Sequence, residues 1–316
     1  MTKLDESAII KIFQSKFGNK KFVSEDVELF NIGKKKIAVK TDTLVQSTDI
    51  PSKMKLFDAA RKSVVACVSD FAAKGIQPQY GIISINLPKS ISRTKIDDIA
   101  KGFKKACNEY GIAILGGDTN AGKEIVFNVC IFGEANSIVS RKGSKKNDLI
   151  FVTGSFGYTS AGLNILLAGK RGKAEFVKKS IQSVVNPKPK LKFGVKNKKY
   201  FSASMDSSDG LSTTLNEMAK QSKKKFVINN IPSKNDLKEH AKSQKFSLID
   251  LVFHGGEEYE FAFTVNPKYR QSILKNAKLL KTSIIEIGYV TIGNGVFVQE
   301  NDKNIRLKDL GWKHFK

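Results

Sequence analysis

Apolar residues along this chain recur at two spacings, three or four apart in some segments and two apart in others, and the segments alternate. Residues 5–17 read as an amphipathic helix through Ile9, Ile10, Ile12, Phe13 and Phe17. Strand-like runs follow at 27–30, 36–42 and 44–47. Residues 57–74 form a long helical pattern, apolar at Ala60, Val64, Val65, Val68 and Ala72 and stopped by Gly75 and Pro78. A strand at 80–87, a helix at 92–110 and strands at 112–115 and 125–132 complete the first half. At 133–146 the chain turns small and polar, which sets a domain boundary and predicts domains of 1–137 and 138–316. The second half opens with a strand at 149–153, a Gly-rich turn at Gly154-Ser155-Phe156-Gly157 and a helix running to Ala168. Further strands are predicted at 226–228, 260–265, 284–290 and 296–299. The segment 187–200, with Pro187, Pro189 and many lysines, reads as a linker or exposed loop. No short tandem repeat is visible. The class is α+β, a mixed chain in two halves.

Composition narrows the picture. The chain has 316 residues, 41% of them hydrophobic, which is enough for two packed domains and excludes a disordered or collagen-like chain. No run approaches the roughly 18–20 apolar residues of a membrane-spanning helix. The start, Met1-Thr2-Lys3-Leu4-Asp5, lacks a signal-peptide layout, so a cytoplasmic protein without membrane attachment is expected. Cys67, Cys107 and Cys130 are odd in number and sit in apolar runs, as reduced core thiols do.

Lys and Arg number 54 against 30 Asp and Glu, a formal charge of +24. Such a balance first suggests nucleic acid. The excess is almost wholly lysine, however, dispersed and not interleaved with aromatic platforms, whereas bidentate phosphate clamps favour arginine. A solvated surface that attracts small anions is the better reading, with nucleic acid an unlikely partner.

In so basic a chain the informative residues are acids in apolar or Gly-rich settings. Asp42 follows a strand in Thr41-Asp42-Thr43, and Asp70 interrupts an otherwise core-like helix. Asp118 ends Leu115-Gly116-Gly117-Asp118-Thr119. Asp206 and Asp209 bracket Asp206-Ser207-Ser208-Asp209-Gly210, and Glu257 and Glu258 follow Gly255-Gly256. Each has a plainer alternative: Asp209 or Ser208 as a helix cap, Asp118 as a turn residue. Asp70 is harder to dismiss, because an isolated buried carboxylate is costly. The recurrence of these aspartates points to a hard cation, since carboxylates brought together repel unless cations intervene. There are only three histidines and no Cys/His cluster has zinc spacing, so any metal here is expected to be a hard one.

Two motifs mislead. Gly117 to Lys123 nearly matches a phosphate-binding P-loop, but Glu124 stands where the Mg²⁺-holding hydroxyl belongs and a strand follows instead of a helix. The Gly154–Gly157 turn lacks dinucleotide-fingerprint spacing.

Taken in order, Thr41-Asp42, Ser69-Asp70-Phe71-Ala72-Ala73-Lys74-Gly75, Gly116-Gly117-Asp118-Thr119, Asp206-Ser207-Ser208-Asp209-Gly210-Leu211 and Gly255-Gly256-Glu257-Glu258-Tyr259-Glu260 resemble the thiamine-monophosphate kinase family. That family belongs to the aminoimidazole-ribonucleotide-synthetase-like, or PurM-like, ATP-binding superfamily. The resemblance implies a two-domain PurM-like fold, with an N-terminal sheet forming a barrel at a homodimer interface and a C-terminal α/β domain completing the site. It implies ATP-dependent phosphorylation of thiamine monophosphate to thiamine diphosphate. Asp26, Thr41, Asp42, Asp70, Asp118, Asp206 and Asp209 would hold several Mg²⁺ ions. Gly117, Asp118, Arg141 and Ser208 would contact ATP, and Asp49, Glu257 and Phe315 thiamine monophosphate. Cys67, Asp49 and Glu258 stand where the family more often has Asn, His and Asp.

The chemistry suits these residues. Phosphoryl transfer needs two anions held in line and neutralised rather than a protein nucleophile, so direct transfer is expected. Aminoimidazole-ribonucleotide synthetase is the nearest competing activity. A non-catalytic nucleic-acid-binding protein is the alternative from another class.

Overall fold

The computed structural model describes residues 5–18, 23–169, 172–300 and 303–313. Helix α1 (Glu6–Lys16) is capped by the Asp5 carboxylate, which accepts the Ala8 N–H at 2.8 Å. Strands β1 (Glu28–Ile32) and β2 (Lys35–Val45) form a hairpin, followed by the single turn α2 (Gln46–Asp49) and the long α3 (Leu56–Lys74). β3 (Tyr80–Pro88), α4 (Arg93–Tyr110), β4 (Ala113–Gly122) and β5 (Val126–Glu134) complete the first sheet, ordered β1-β2-β5-β3-β4. Its one parallel pair, β3–β4, is joined through α4, the long crossover such a pair requires.

After Glu134 no helix or strand forms until β6 (Leu149–Thr153). Then come α5 (Tyr158–Ala168), α6 (Ala174–Val185), α7 (Leu191–Asn197), β7 (Phe201–Ser207), α8 (Leu211–Ser222), β8 (Lys225–Ile228) and α9 (Asn235–Gln244). A π-helical turn at Asp250–His254 leads to β9 (Glu260–Val265), α10 (Arg270–Leu279), β10 (Ile284–Thr291), β11 (Gly295–Glu300) and β12 (Lys303–Arg306). These strands form a seven-stranded sheet ordered β12-β11-β8-β10-β6-β9-β7.

The two sheets share a core. Val64, Val68 and Phe71 of α3 cluster with Val129 and Ile131 of β5, and also with Phe261 and Phe263 of β9. Helix α3 therefore lies between the sheets and is buried on nearly every side. A helix so placed is normally apolar all round. This one buries Arg61, Lys62, Asp70 and Lys74 as well, and buried charges persist only when paired.

Two sequence expectations need correction. The predicted strands 36–42 and 44–47 are one continuous strand that passes into α2, because Thr43 sits on the exposed side of an unbroken alternation. The loop expected at 187–200 contains α7, whose Leu191, Phe193 and Gly194 are buried. Its lysines hid an apolar spacing of two to three residues, and Gly194 allows the backbone to approach α3: a Cβ there would lie 1.9 Å from the Ala72 carbonyl oxygen. The first sheet is open, with β1 and β4 as its edges. The three cysteines are free thiols, with Cys67 and Cys107 buried. Among the described residues no helix is long and apolar enough to cross a membrane.

Candidate active site

Side chains on β2 alternate, so Lys40 and Asp42 share the face that carries buried Ala38 and Leu44 toward α3. Thr41 falls on the opposite, exposed face. Asp70 enters from the last turns of α3, Asp206 from β7, and Asp26 from the segment before β1. Carboxylate oxygens of Asp26, Asp70 and Asp206 lie within 4.8 Å of one another, and all three residues are buried. Asp42, Asp49, Asp206, Ser208, Asp209 and Glu257 line one cavity of about 640 Å³, together with Asp70 and Lys40. That volume is typical of a small-molecule site.

The plainer readings of two aspartates fail. The N-cap position of α8 is Gly210, whose φ of +113° suits glycine, and no side chain caps the helix, so neither Ser208 nor Asp209 is a cap. Asp118 is not in a turn but within β4, opposite Ser84, where it accepts the Asn120 side-chain N–H at 2.6 Å. Nor does the near P-loop sequence form a loop before a helix: Gly117 lies inside the same strand. A Cβ at Gly117 would lie 1.8 Å from the Ile83 carbonyl oxygen, so glycine is set there by the close approach of β3.

Three lysines outside the predicted set of site residues neutralise the acids. Lys74 Nζ is 2.7 Å from Glu25, 3.1 Å from Asp26 and 2.9 Å from the Ser204 carbonyl oxygen. Lys40 Nζ is 3.0 Å from Asp70 and 3.6 Å from Asp42. Fully buried Lys62 donates to Glu257 and, at 3.3 Å, to the Asp49 carbonyl oxygen. For Lys62 and Lys74 the available signal was lysine in the middle of an apolar helical pattern, where a stem can be buried only if its ammonium finds an anion.

The electrostatics follow. Burial drives the Asp26 carboxyl up, but Lys74 and then Arg141 overcome it and hold the group below its usual range. Asp70 goes the other way: burial raises it well above normal, Lys40 opposes, and Asp206, Asp42 and Asp26 add repulsion. Asp206 is pushed up to about 7, by burial first and by Asp26 next. Asp70 and Asp206, buried this close together and with their proton affinity raised, form a site short of positive charge. Its all-oxygen donors suit a hard cation such as Mg²⁺ better than zinc.

The remaining predicted residues do not all converge. Arg141 clamps Asp26, Nε to Oδ1 at 2.7 Å, and donates to Ser24 at 2.9 Å; it does not line the cavity. Gly117 and Asp118 line a second, separate recess against α4, beside Ile83, Phe103, Lys104 and Asn108. Phe315 lies outside the described residues. Trp312, not among the predicted site residues, lines the main cavity.

The segment carrying Glu257 is tightly determined. It follows a π-helical turn, a feature common at functional sites. Glu257 and Tyr259 take left-handed φ values of +65° and +49°, a cost that surrounding contacts must hold in place. Those contacts include Glu257 N–H to the Ser208 carbonyl at 2.6 Å and Thr159 Oγ1 to the Gly256 carbonyl at 3.0 Å. Gly255 permits the packing, since a Cβ there would overlap Ser160.

Residues 24–135 match the family described as AIR synthase related protein, N-terminal domain. Over the full length of both chains this one is 70% identical to a thiamine-monophosphate kinase of Nitrosopumilus maritimus. It is 33% identical to that of Pyrococcus horikoshii, covering 100% of this chain and 98% of the relative. A solved structure of AaThiL complexed with AMPPCP and TMP superposes with a TM-score of 0.88 at 29% identity, covering 99% and 98% of the two chains.

Proposed function

The chain belongs to the thiamine-monophosphate kinase family, and from that premise we propose that its acid-lined cavity passes the γ-phosphoryl group of ATP directly to the phosphate of thiamine monophosphate. The enzyme is an ATP-dependent phosphotransferase whose products are ADP and thiamine diphosphate. One observation carries the assignment of the site: carboxylates from distant parts of the chain, Asp26, Asp70 and Asp206, meet beside a cavity of substrate size.

Asp26, Asp42, Asp70, Asp206 and Asp209 are the donors that would hold Mg²⁺; the side chain of Thr41 faces away from them. When bound, Mg²⁺ neutralises phosphate oxygens and lowers the charge barrier between two anions. The chain's own residues do the rest. Lys74 and Arg141 keep Asp26 ionised and fixed. Lys62 holds Glu257 and the Asp49 carbonyl at the cavity wall, where negative groups face the cationic ring of thiamine. Trp312 offers an aromatic face to the same ring. The acceptor brings its own nucleophile, a phosphate oxygen, and among the described residues no histidine or cysteine lines the cavity. Transfer then needs no phosphoenzyme, only alignment of the two phosphates.

Asp118 and Gly117 act, in this reading, across a homodimer. They lie on edge strand β4, which is exposed throughout, on the sheet that also exposes Leu29, Tyr80, Ile82, Ile114 and Leu115. A second copy covering those residues would close the open sheet and bring the Gly117-Asp118 segment to a site shared between copies.

The test is ADP release with Mg-ATP and thiamine monophosphate, with thiamine itself as control. Asp70→Asn should lower turnover by more than the roughly 10- to 100-fold that changes outside the metal ligands cost; near-normal activity would remove the metal site from the mechanism. Asp118→Asn alone should be inactive but correctly folded. Mixed with Asp70→Asn it should regain activity that neither parent shows, and no recovery would place Asp118 outside a shared site.

A further inference from the structure

We propose that Lys40 is a built-in cation of the acidic cluster, its ammonium holding the position between Asp42 and Asp70 that a divalent ion would otherwise fill in the nucleotide-free protein. The proposal rests on the reading of this cluster as a metal site. It concerns how many ions the free chain takes up, which the family relationship leaves open.

The argument begins with the strand. Lys40 and Asp42 are two residues apart on β2, so both side chains leave the same face toward α3. The Lys40 ammonium reaches Asp70 Oδ2 at 3.0 Å and Asp42 Oδ1 at 3.6 Å. The cations of the cluster are unevenly shared. Lys74 and Arg141 both engage Asp26, whereas among the described residues Lys40 is the single ion-pair partner of Asp70 and of Asp42. Half of the cluster is thus compensated by arginine and lysine from outside the cavity. The other half depends on one ammonium that itself lines the cavity.

An ammonium between two carboxylates and a divalent ion between the same carboxylates are alternatives, because both seek the same lone pairs and repel each other at contact distance. The lysine side chain retains about a quarter of its exposure, so it is not sealed in and can be exchanged. Removing it should leave Asp42 and Asp70 facing each other with no counter-charge, a state that a hard cation relieves.

Mn²⁺ is the probe, counted by the loss of its free electron-spin-resonance signal on titration into nucleotide-free protein. Lys40→Ala and Lys40→Met should each bind one more Mn²⁺ per chain than wild type. Methylammonium chloride should weaken that additional ion in Lys40→Ala and leave the wild-type count unchanged. In EDTA the melting temperature of both variants should fall, and Mn²⁺ should restore it more than it raises that of wild type. Equal Mn²⁺ counts in wild type and variants overturn the role of Lys40 while leaving the metal site standing. No Mn²⁺ binding by any of the three proteins overturns the metal site and the inference together. Should a variant fail to fold in EDTA, recovery on adding Mn²⁺ supports the inference, and failure to recover overturns it.

Discussion

Glu258 offers a test of the site's architecture that needs no substrate. It sits behind the cavity wall, next in sequence to Glu257, and its Oε1 accepts the Gly157 N–H at 2.6 Å where α5 begins. Burial raises its carboxyl from 4.5 to about 8, despite the hydrogen bond from Gly157 and those from Thr159. The folded protein therefore keeps this proton at neutral pH while the unfolded chain has lost it. Below the unfolded value both states are protonated and nothing is lost. From there upward, stability falls until the folded value near 8 is passed, and it then levels off. The full difference is on the order of 5 kcal/mol, each tenfold change in proton affinity being ~1.36 kcal/mol. Glu258→Gln removes the titration but keeps an oxygen for Gly157. With an unfolding entropy of ~2.1 cal/mol/K per residue over 316 residues, the variant should gain roughly 7 °C in melting temperature, relative to wild type, between pH 4 and pH 9. Differential scanning calorimetry at both pH values measures it. Melting temperatures that run parallel across that range would refute a neutral, buried Glu258.

Other expectations follow from the same contacts. Lys62→Met strands Glu257 beside the cavity and should cost about 3 kcal/mol, the lower end for breaking a buried pair because water reaches Glu257. It should also raise the KM for thiamine monophosphate while leaving Mn²⁺ binding unchanged; a changed Mn²⁺ count with an unchanged KM would contradict the role given to Lys62. Gly117→Ala must push β4 away from the Ile83 carbonyl, costing about 1–3 kcal/mol in chemical denaturation. Gly111→Ala is its control: that glycine has φ +72° with open space around it, so only conformational strain of about 1 kcal/mol is expected. Equal losses in the two variants would mean that the approach of β3 and β4 is not what selects glycine at 117.

The elements were largely legible before any coordinates. Short, nearly continuous apolar runs mark β6 and β9 and periodicity near 3.6 marks α3 and α4, because an element must repeat apolar residues wherever it is buried. Gly75 and Gly111, both left-handed, end α3 and α4 where the pattern stops. The chemistry was legible too, since aspartates amid glycine and serine in a lysine-rich chain have no local reason to be there. The pattern failed where one element serves two partners. Helix α3 lies between two sheets, so its polar positions are not its solvent face. Lys62 and Lys74 look like surface lysines until β7 and the Glu257 segment close over them, and the lysines of α7 concealed the apolar side that docks on α3.

What the chain order alone determined is which residues form strands and helices and which acids are chemically out of place, because both are set by neighbours a few residues away. What only the folded chain decided is which charges meet. The ion pairs of Lys40 with Asp70, Lys62 with Glu257 and Lys74 with Asp26 span from 30 to nearly 200 positions of sequence. Such contacts are fixed by how two sheets pack on a shared helix and leave no periodic trace in the sequence. The same holds for Asp118, whose strand places it apart from the acids that the sequence had grouped with it.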